Sequence, residues 1–349
     1  MTTAAFDVVN LPKNEWRFIA ADHPDLYYIG RIDRTTPQAP VFVWQGSELR
    51  ARFSGQRIGF RFAEPQGQNF YNVTIDGSVH QLQLTPAGTH DYLLAVTLPP
   101  GVHELVLFKR TEALFGQATF QGLILELTAR METKPEPLPL RIEFYGDSIT
   151  AGACNEDTDA DQYDDLVTHN NYLAYGALTA RALNAEYVCI AVSGTGICYS
   201  WNPVLLPEVF DRTNPEPGSP RYAFTERQPD LVVINLGQND YGFTLAEGIA
   251  FPADFTEKYR EFVRMIRNMY PAAHIICAIG GMTAYRDSVQ LRTAFSQAVT
   301  ELAAEDSRMH SFVFTAFAEN HPRLTVHRQL ADELTGFIKN EVLLLNQTR

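Results

Sequence analysis

Two patterns of hydrophobic positions divide the chain. From about residue 20 to 127, short runs alternate apolar and polar residues between Gly, Pro and Ser, which is typical of strands with one buried face. Asp76-Gly77 lies between two such runs and predicts a type I′ hairpin, because glycine tolerates a positive φ. The predicted strands are 41–44, 49–53, 58–62, 70–75, 79–84, 91–98, 102–109 and 119–127. About eight strands of this kind predict a jelly-roll β-sandwich.

A different pattern begins after residues 130–140, where prolines at alternate positions predict an extended, semi-rigid linker. Strand patterns at 141–145, 187–192, 231–236, 274–280 and 311–314 alternate with helical patterns at 172–183, 255–270, 286–305 and 326–338. This alternation predicts βαβ units on a parallel sheet. We therefore expect a sandwich domain over residues 1–129, a linker over 130–140 and an α/β/α domain over 141–349.

Composition narrows the classes of partner. The chain has 349 residues, of which 45% are hydrophobic, so it can bury a large core. Its net charge of −13 disfavours nucleic acid and anionic membranes as partners, whereas a neutral or weakly charged substrate fits better. No apolar run approaches the length that a bilayer requires, and the N-terminus lacks a signal-peptide pattern. We expect a cytoplasmic protein as the chain stands, or a secreted or periplasmic one if a signal was removed. The oligomeric state is left open.

The cysteines and the acidic residues do not predict a metal site. Without a Cys-x-x-Cys pair, neither a disulfide scaffold nor a zinc ribbon is indicated, although a bridge between Cys154 and Cys198 stays open. Residues 155–165 begin like a calcium loop but carry Gln162 and Thr168 where an EF-hand needs Gly and Glu. We interpret this segment as a solvated acidic loop beside the mouth of the active site.

Polar turns follow three predicted strands of the second half, at the edge where open α/β sheets bind ligands. Ser148 follows the first strand and is a candidate nucleophile. Gly194 follows the second strand, where glycine lets a backbone N–H approach a ligand closely. Asn239 follows the third strand and offers a side-chain N–H. Each is an ordinary turn when taken alone, but three on one edge favour an acyl-transfer site.

The base of such a site is expected to be one of the nine histidines. His321 follows the last predicted strand and precedes the C-terminal helix, so it is placed to face the same edge; an exposed loop histidine is the alternative. His327 comes six residues later, cannot share the helical face of His321, and is expected to pack or cap.

Together these residues resemble the four sequence blocks of the SGNH (GDSL-type) hydrolases. In chain order the blocks are Gly146-Asp147-Ser148-Ile149-Thr150, Gly194, Gly237-x-Asn239-Asp240 and His321-Pro322. The resemblance implies a flavodoxin-like fold and a serine esterase. No cofactor is expected, and the lack of a His-Glu-x-x-His or other close metal-ligand motif in the sequence disfavours a metal. It also implies Ser148 as nucleophile, His321 as base, and an oxyanion hole from the N–H groups of Ser148 and Gly194 and the side chain of Asn239.

The first half resembles the jelly-roll domain of carbohydrate esterase family 2. The matching residues are Ile29-Gly30-Arg31, Trp44-Gln45-Gly46-Ser47, Asp76-Gly77 and Lys109-Arg110-Thr111-Glu112, followed by Gly116 and Phe120. Members of that family join a β-sandwich to an SGNH domain and remove O-acetyl groups from xylan, glucomannan and related saccharides, often at the 6-position. The resemblance therefore implies an acetyl xylan esterase or 6-O-deacetylase.

The group behind His321 departs from the pattern of both families. SGNH enzymes commonly carry Asp three residues before the histidine, where this chain has Ala318. Family 2 is similar to an Asp-x-His arrangement instead, and the matching residue here is Glu319. We expect either a triad completed by Glu319 or a dyad in which a backbone carbonyl orients the imidazole.

Other side chains near the blocks are candidates for binding the saccharide. Asp147, Trp201 and Tyr241 are predicted to contact it, and the two aromatic rings can stack on a sugar. A general or lipid acyl-ester hydrolase, and a carbohydrate-binding protein with residual esterase activity, are the alternatives. Which acetylated saccharide and which acetyl position are involved is left open.

Overall fold

The computed structural model describes residues 6–12, 14–224 and 227–343. It separates into two compact units, with the division between Pro137 and Leu138. The proline-rich segment spans this division, and its first residues pair with the first unit. The N–H of Glu132 donates to the carbonyl of Arg52 at 2.9 Å.

The described part of the first unit is all β. Its strands are β1 (Phe6–Val9), β2 (Trp16–Ala20), β3 (Tyr27–Ile29), β4 (Val41–Phe42), β5 (Glu48–Ser54), β6 (Ile58–Gly67), β7 (Phe70–Ile75), β8 (Ser78–Gln83), β9 (Thr89–Leu94), β10 (Val102–Lys109) and β11 (Gly116–Glu126). One antiparallel sheet has the order β1-β9-β6-β11-β2, with β4 also paired to β11. The other has the order β3-β5-β10-β7-β8.

The predicted β-sandwich is confirmed. Phe42 and Phe62 of one sheet meet Tyr71 of the other, with ring centroids 6.1 and 5.1 Å apart, and both also contact Phe120 of their own sheet at 6.2 and 5.4 Å. The hairpin between β7 and β8 is also confirmed, because Asp76-Gly77 has the positive φ angles, 49° and 84°, that a type I′ turn requires. The predicted count of about eight strands is wrong, because the described part of this unit has eleven. The strands β1, β2 and β3 were missed because they are too short to show a sustained alternation.

The second unit is α/β. Its strands are β12 (Leu140–Gly146), β13 (Ala185–Ala191), β14 (Leu231–Asn235), β15 (His274–Met282) and β16 (Met309–Ala318). Its helices are α1 (Ser148–Ala151), α2 (Tyr175–Ala182), α3 (Leu206–Val209), α4 (Gln238–Glu247), α5 (Phe255–Met269), α6 (Ala284–Asp287), α7 (Val289–Glu305) and α8 (Leu324–Phe337). Short 3₁₀ turns lie at Leu166–Thr168 and Asn171–Leu173, and a π-helical turn at Ile338–Leu343 follows α8.

The predicted parallel sheet is confirmed, with the order β13-β12-β14-β15-β16. Gly146 at the end of β12 is paired with Ala191 of β13 and Asn235 of β14. The turns that follow these three strands therefore begin at the same level of one sheet edge. Among the described helices, none combines the length and the apolar content needed to cross a membrane.

Helix α4 was not predicted. The side chains that it buries are polar, so no apolar periodicity marks the helix in the sequence. They are Asn239, Asp240 and Thr244.

Candidate active site

The turn between β12 and α1 presents Ser148 at the sheet edge. Asp147 caps α1, because its Oδ1 accepts the N–H of Ile149 at 3.0 Å. Glycine is needed at position 146, where a Cβ would lie 2.0 Å from Thr150 Oγ1. The Gly-Asp-Ser sequence thus folds into a tight strand-to-helix turn with Ser148 as the first helical residue.

Ser148 and His321 are in hydrogen-bond contact. Ser148 Oγ lies 2.8 Å from His321 Nε2, and His321 Nδ1 lies 2.7 Å from Asp161 Oδ2. An ionised carboxylate only accepts hydrogen bonds, so Nδ1 carries the ring proton and Nε2 is left to accept the Ser148 O–H. This is the arrangement of a Ser-His-Asp triad.

One guanidinium holds Asp161 in place. Arg323 Nη1 donates to Asp161 Oδ1 at 2.7 Å and to the carbonyls of Cys154 and His321 at 2.8 and 3.1 Å. Its Nη2 donates to the carbonyl of Asp159 at 2.9 Å. Burial acts to raise the pKa of Asp161, but its hydrogen bonds with His321 and Arg323 outweigh burial and lower that pKa. Asp161 is therefore a carboxylate at neutral pH.

Glu319 does not reach His321. Its side chain is 74% exposed and pairs with Arg286, 3.2 Å from Nη1 to Oε1. The chain bends at residues 319–321 after β16 ends, so the two-residue spacing does not place both side chains on one side. Neither expected arrangement, a Glu319 triad or a dyad completed by a backbone carbonyl, is observed. The group that contacts His321 Nδ1 is the carboxylate of Asp161.

Asp161 belongs to the acidic segment 155–165, which sequence reasoning interpreted as a solvated loop. No spacing in the chain pairs this residue with a histidine 160 positions later. The only available signal was the position of the segment, directly after the Ser148 turn.

The two other turns flank the serine. Asn239 Nδ2 donates to the Thr195 carbonyl at 2.9 Å and lies 3.2 Å from Asp147 Oδ2, which puts it beside the Ser148 turn. Gly194 has a φ of 77°, a left-handed conformation that favours glycine. Sequence reasoning assigned both as oxyanion donors, and the sheet places them on either side of β12.

Asp147 was predicted to bind substrate, and the structure does not support that role. Only 1% of this residue is exposed, and its carboxylate is engaged by Ile149 and Asn239. It caps the turn that carries Ser148 instead.

Asp240 anchors the loop that follows Gly194. Its buried carboxylate accepts the N–H groups of Ile197, Cys198 and Tyr199 at 3.0, 2.6 and 3.0 Å. Burial raises the pKa of Asp240, against the opposing effect of these backbone N–H groups. Sequence reasoning gave this residue no role, although it adjoins Asn239.

The predicted aromatic residues differ in exposure. Trp201 is 52% exposed and packs edge-on against Phe243, with centroids 5.2 Å apart, while Tyr241 is half-buried on α4. Tyr163, which lies in the acidic segment 155–165, is 55% exposed, and its ring meets that of His321 edge-on at 5.4 Å. Trp201 and Tyr163 therefore each present a ring to solvent.

Two further expectations concern histidine and cysteine. His327 is buried and caps α2, since its Nδ1 accepts the N–H of Tyr175 at 3.1 Å, as predicted. Burial, with a contribution from His321, lowers the pKa of His327 to about 3. Cys154 and Cys198 are both free thiols, so the bridge that the sequence left open is not formed.

Two family models match the chain. The carbohydrate esterase 2 N-terminal model matches residues 28–135, and the GDSL-like lipase/acylhydrolase family model matches residues 144–333. The first match covers most of the β-sandwich. The second covers all the residues of the site described above.

Curated relatives carry related names. Cellulase/esterase CelE of Acetivibrio thermocellus is 32% identical over 332 residues, which are 92% of this chain but only 40% of that protein. An acetylxylan esterase / glucomannan deacetylase of Cellvibrio japonicus is 28% identical over 314 residues, 87% of this chain and 83% of that protein. The chain thus spans less than half the length of CelE.

Solved structures are similar over nearly the whole chain. A family two carbohydrate esterase from Clostridium thermocellum in complex with cellohexaose has a TM-score of 0.83 and 31% identity, covering 91% of this chain and 99% of that one. A family two carbohydrate esterase from Cellvibrio japonicus has a TM-score of 0.80 over 93% of this chain and 97% of its own; at 23% identity it supports the fold alone.

Proposed function

The chain belongs to carbohydrate esterase family 2, and from that premise we propose that it removes O-acetyl groups from plant cell-wall saccharides through an acetyl-enzyme on Ser148. The observation that carries the proposal is the contact of Ser148 with His321, backed by the hydrogen bond from His321 to Asp161. A serine in hydrogen-bond contact with an oriented imidazole is an activated nucleophile.

The chemistry follows from the positions of the protons. His321 Nε2 takes the proton of Ser148 as Oγ attacks the acetyl carbonyl, and Asp161 stabilises the imidazolium that forms. The imidazolium then gives its proton to the departing sugar hydroxyl, which leaves the acetyl group on Oγ. Water, activated by the same imidazole, releases acetate and restores Ser148.

The oxyanion of each tetrahedral intermediate needs preorganised donors. We assign this role to the N–H groups of Ser148 and Gly194 and to Asn239 Nδ2. Because Asn239 Nδ2 lies 3.2 Å from Asp147 Oδ2, the oxyanion would replace that carboxylate as the acceptor of one amide hydrogen.

The substrate class rests on the relatives and on the exposed rings. Relatives are named acetylxylan esterase / glucomannan deacetylase, and one solved relative holds cellohexaose. Trp201 and Tyr163 offer exposed aromatic faces on which a sugar ring can stack, and the Tyr163 ring contacts that of His321, while Tyr241 is half-buried on α4. With a net charge of −13, nucleic acid and anionic membranes are disfavoured as partners.

The experiment compares acetate release from acetylated xylan and acetylated glucomannan with hydrolysis of long-chain p-nitrophenyl esters, for the wild type and Ser148→Ala. We expect acetate release that Ser148→Ala abolishes, with the regiochemistry read by NMR. A preference for long-chain esters would favour a lipid acyl-ester hydrolase. Saccharide affinity without wild-type turnover would identify a binding protein.

A further inference from the structure

A buried thiol lies behind the triad, and the esterase mechanism does not use it. Cys154 is fully buried, with its Sγ 3.4 Å from His169 Nε2. One ligand atom each of Cys154, Asp161 and His321 lie within 4.8 Å of one another. A thiol, a carboxylate and an imidazole are the ligand types that Zn²⁺ and similar thiophilic cations accept.

We propose that Cys154, Asp161 and His321 form a binding site for a thiophilic divalent cation, such as Zn²⁺ or Cd²⁺, and that occupancy of this site switches the esterase off. The metal site is separate from the proposed function. Only the inhibition measurement rests on the proposed function, because it needs an active esterase.

The ion would take the place of the hydrogen bond between the acid and the base, where the Tyr163 hydroxyl also lies 3.2 Å from both Asp161 Oδ2 and His321 Nδ1. Arg323 occupies Asp161 Oδ1, so Oδ2 faces His321 Nδ1 at 2.7 Å. Ligand atoms of a tetrahedral Zn²⁺ lie about 3.3 to 3.8 Å apart, given bond lengths of about 2.0 to 2.3 Å. The oxygen and the nitrogen would separate slightly, and the sulfur would approach by about 1 Å.

A further carboxylate adds negative charge at the thiol. Asp157 is more than nine-tenths buried, and its Oδ1 has no hydrogen-bond partner among the residues that the structure describes. A thiol without a bound metal is protonated at neutral pH. A cation reverses this state, because the carboxylates beside the thiol attract the ion and a coordinating thiol loses its proton.

Inhibition follows from which nitrogen of the imidazole carries the proton. The cation replaces the proton on His321 Nδ1, and that proton moves to Nε2, so that the ring stays neutral. The Cys154 thiol loses its proton to solvent, so one proton is released for each ion bound. With Nε2 protonated, His321 cannot accept the Ser148 proton, and the nucleophile is not activated.

The test uses Cd²⁺ with the full chain, because a Cd–thiolate bond gives an ultraviolet charge-transfer band that needs no turnover. We expect one equivalent of this band in the wild type and in Cys198→Ala, which removes another free cysteine, and its absence in Cys154→Ala. Esterase inhibition by Cd²⁺ and Zn²⁺ should weaken by about tenfold or more in Cys154→Ala. Each variant is compared with its own activity in a chelator.

A band that persists in Cys154→Ala, equal inhibition of that variant, or no band in the wild type overturns the metal site. If Cys154→Ala does not fold, Cys154→Ser is used instead, and the protons released when Cd²⁺ binds are measured by titration. Release of more than half a proton per ion by the serine variant would also overturn the metal site. A wild type that shows the band but hydrolyses no ester would leave the metal site standing and remove the proposed function.

Discussion

Asp161 and His321 are 160 residues apart in the chain and are joined by a 2.7 Å hydrogen bond from Nδ1 to Oδ2. This bond fixes the imidazole tautomer that leaves Nε2 facing Ser148. The acid of the proposed triad thus comes from the loop that follows Ser148, far before the histidine block along the chain.

Removing that acid is expected to be far more damaging than removing Glu319. Asp161→Ala should lower kcat by about 10²- to 10⁴-fold, because the imidazole loses its orienting carboxylate. Glu319→Ala should leave kcat unchanged, since its carboxylate is exposed and pairs with Arg286. Asp159→Asn is the matched control, an exposed carboxylate of the same loop. Steady-state kinetics with p-nitrophenyl acetate decide the matter, and a crippled Glu319→Ala would contradict the Asp161 triad.

Arg323 is expected to act as a positioning residue. Arg323→Gln removes most of the hydrogen bonds to Asp161 and to the carbonyls around it, so kcat should fall by about 10²-fold with little change in KM. Arg323→Lys keeps the charge and should recover part of kcat. Thermal unfolding is measured in parallel. Wild-type kcat in a correctly folded Arg323→Gln would show that Asp161 holds its position unaided.

Asn239 is expected to stabilise the oxyanion. Asn239→Ala should lower kcat by about 10²- to 10³-fold while KM changes little, because the lost donor acts on charge that develops in the transition state. Gln238→Ala is the control, a neighbouring amide whose Oε1 accepts the N–H of Ala284 instead. Full activity in Asn239→Ala would remove this residue from the oxyanion hole.

Asp240 is expected to matter mainly for stability. Asp240→Ala leaves the N–H groups of Ile197, Cys198 and Tyr199 without their acceptor, which should lower the free energy of unfolding by about 3 kcal/mol or more. Asp240→Asn keeps one acceptor oxygen and should lose less. Urea denaturation measures both variants, and equal losses would argue against the acceptor role.

His327 is expected to make stability depend on pH. Its pKa is about 3 in the folded protein, because the ring is buried, against about 6.5 for an unfolded histidine. Between these values the unfolded chain binds a proton that the native state does not, so stability falls as the pH drops from about 6.5 towards 3. The slope from this residue is at most about 1.4 kcal/mol per pH unit. In His327→Gln, the free energy of unfolding, measured with urea at a series of pH values, should depend less steeply on pH by that amount. An unchanged slope would show that other groups dominate the pH dependence.

The blocks of the site were predictable because sheet geometry brings them together. Parallel strands end at a common edge, so the turns carrying Ser148, Gly194 and Asn239 had to be neighbours once β12, β13 and β14 were recognised. The assignment of Asp147 to the substrate failed for a local reason. A carboxylate at a helix N-cap is used by the backbone that it caps.

The sequence by itself determined two kinds of domain, most of their strands, and the order along the chain of Ser148, the turns with Gly194 and Asn239, and His321. These features depend on the spacing of hydrophobic positions and on the turn preferences of neighbouring residues, and both can be read directly from the sequence. The acid behind His321 was decided only by the tertiary structure. Its identity depends on where an irregular acidic loop lies, on the bend that turns Glu319 to solvent, and on the guanidinium of Arg323 that fixes Asp161. Loop conformation and side-chain direction have no period, so no spacing in the chain records them.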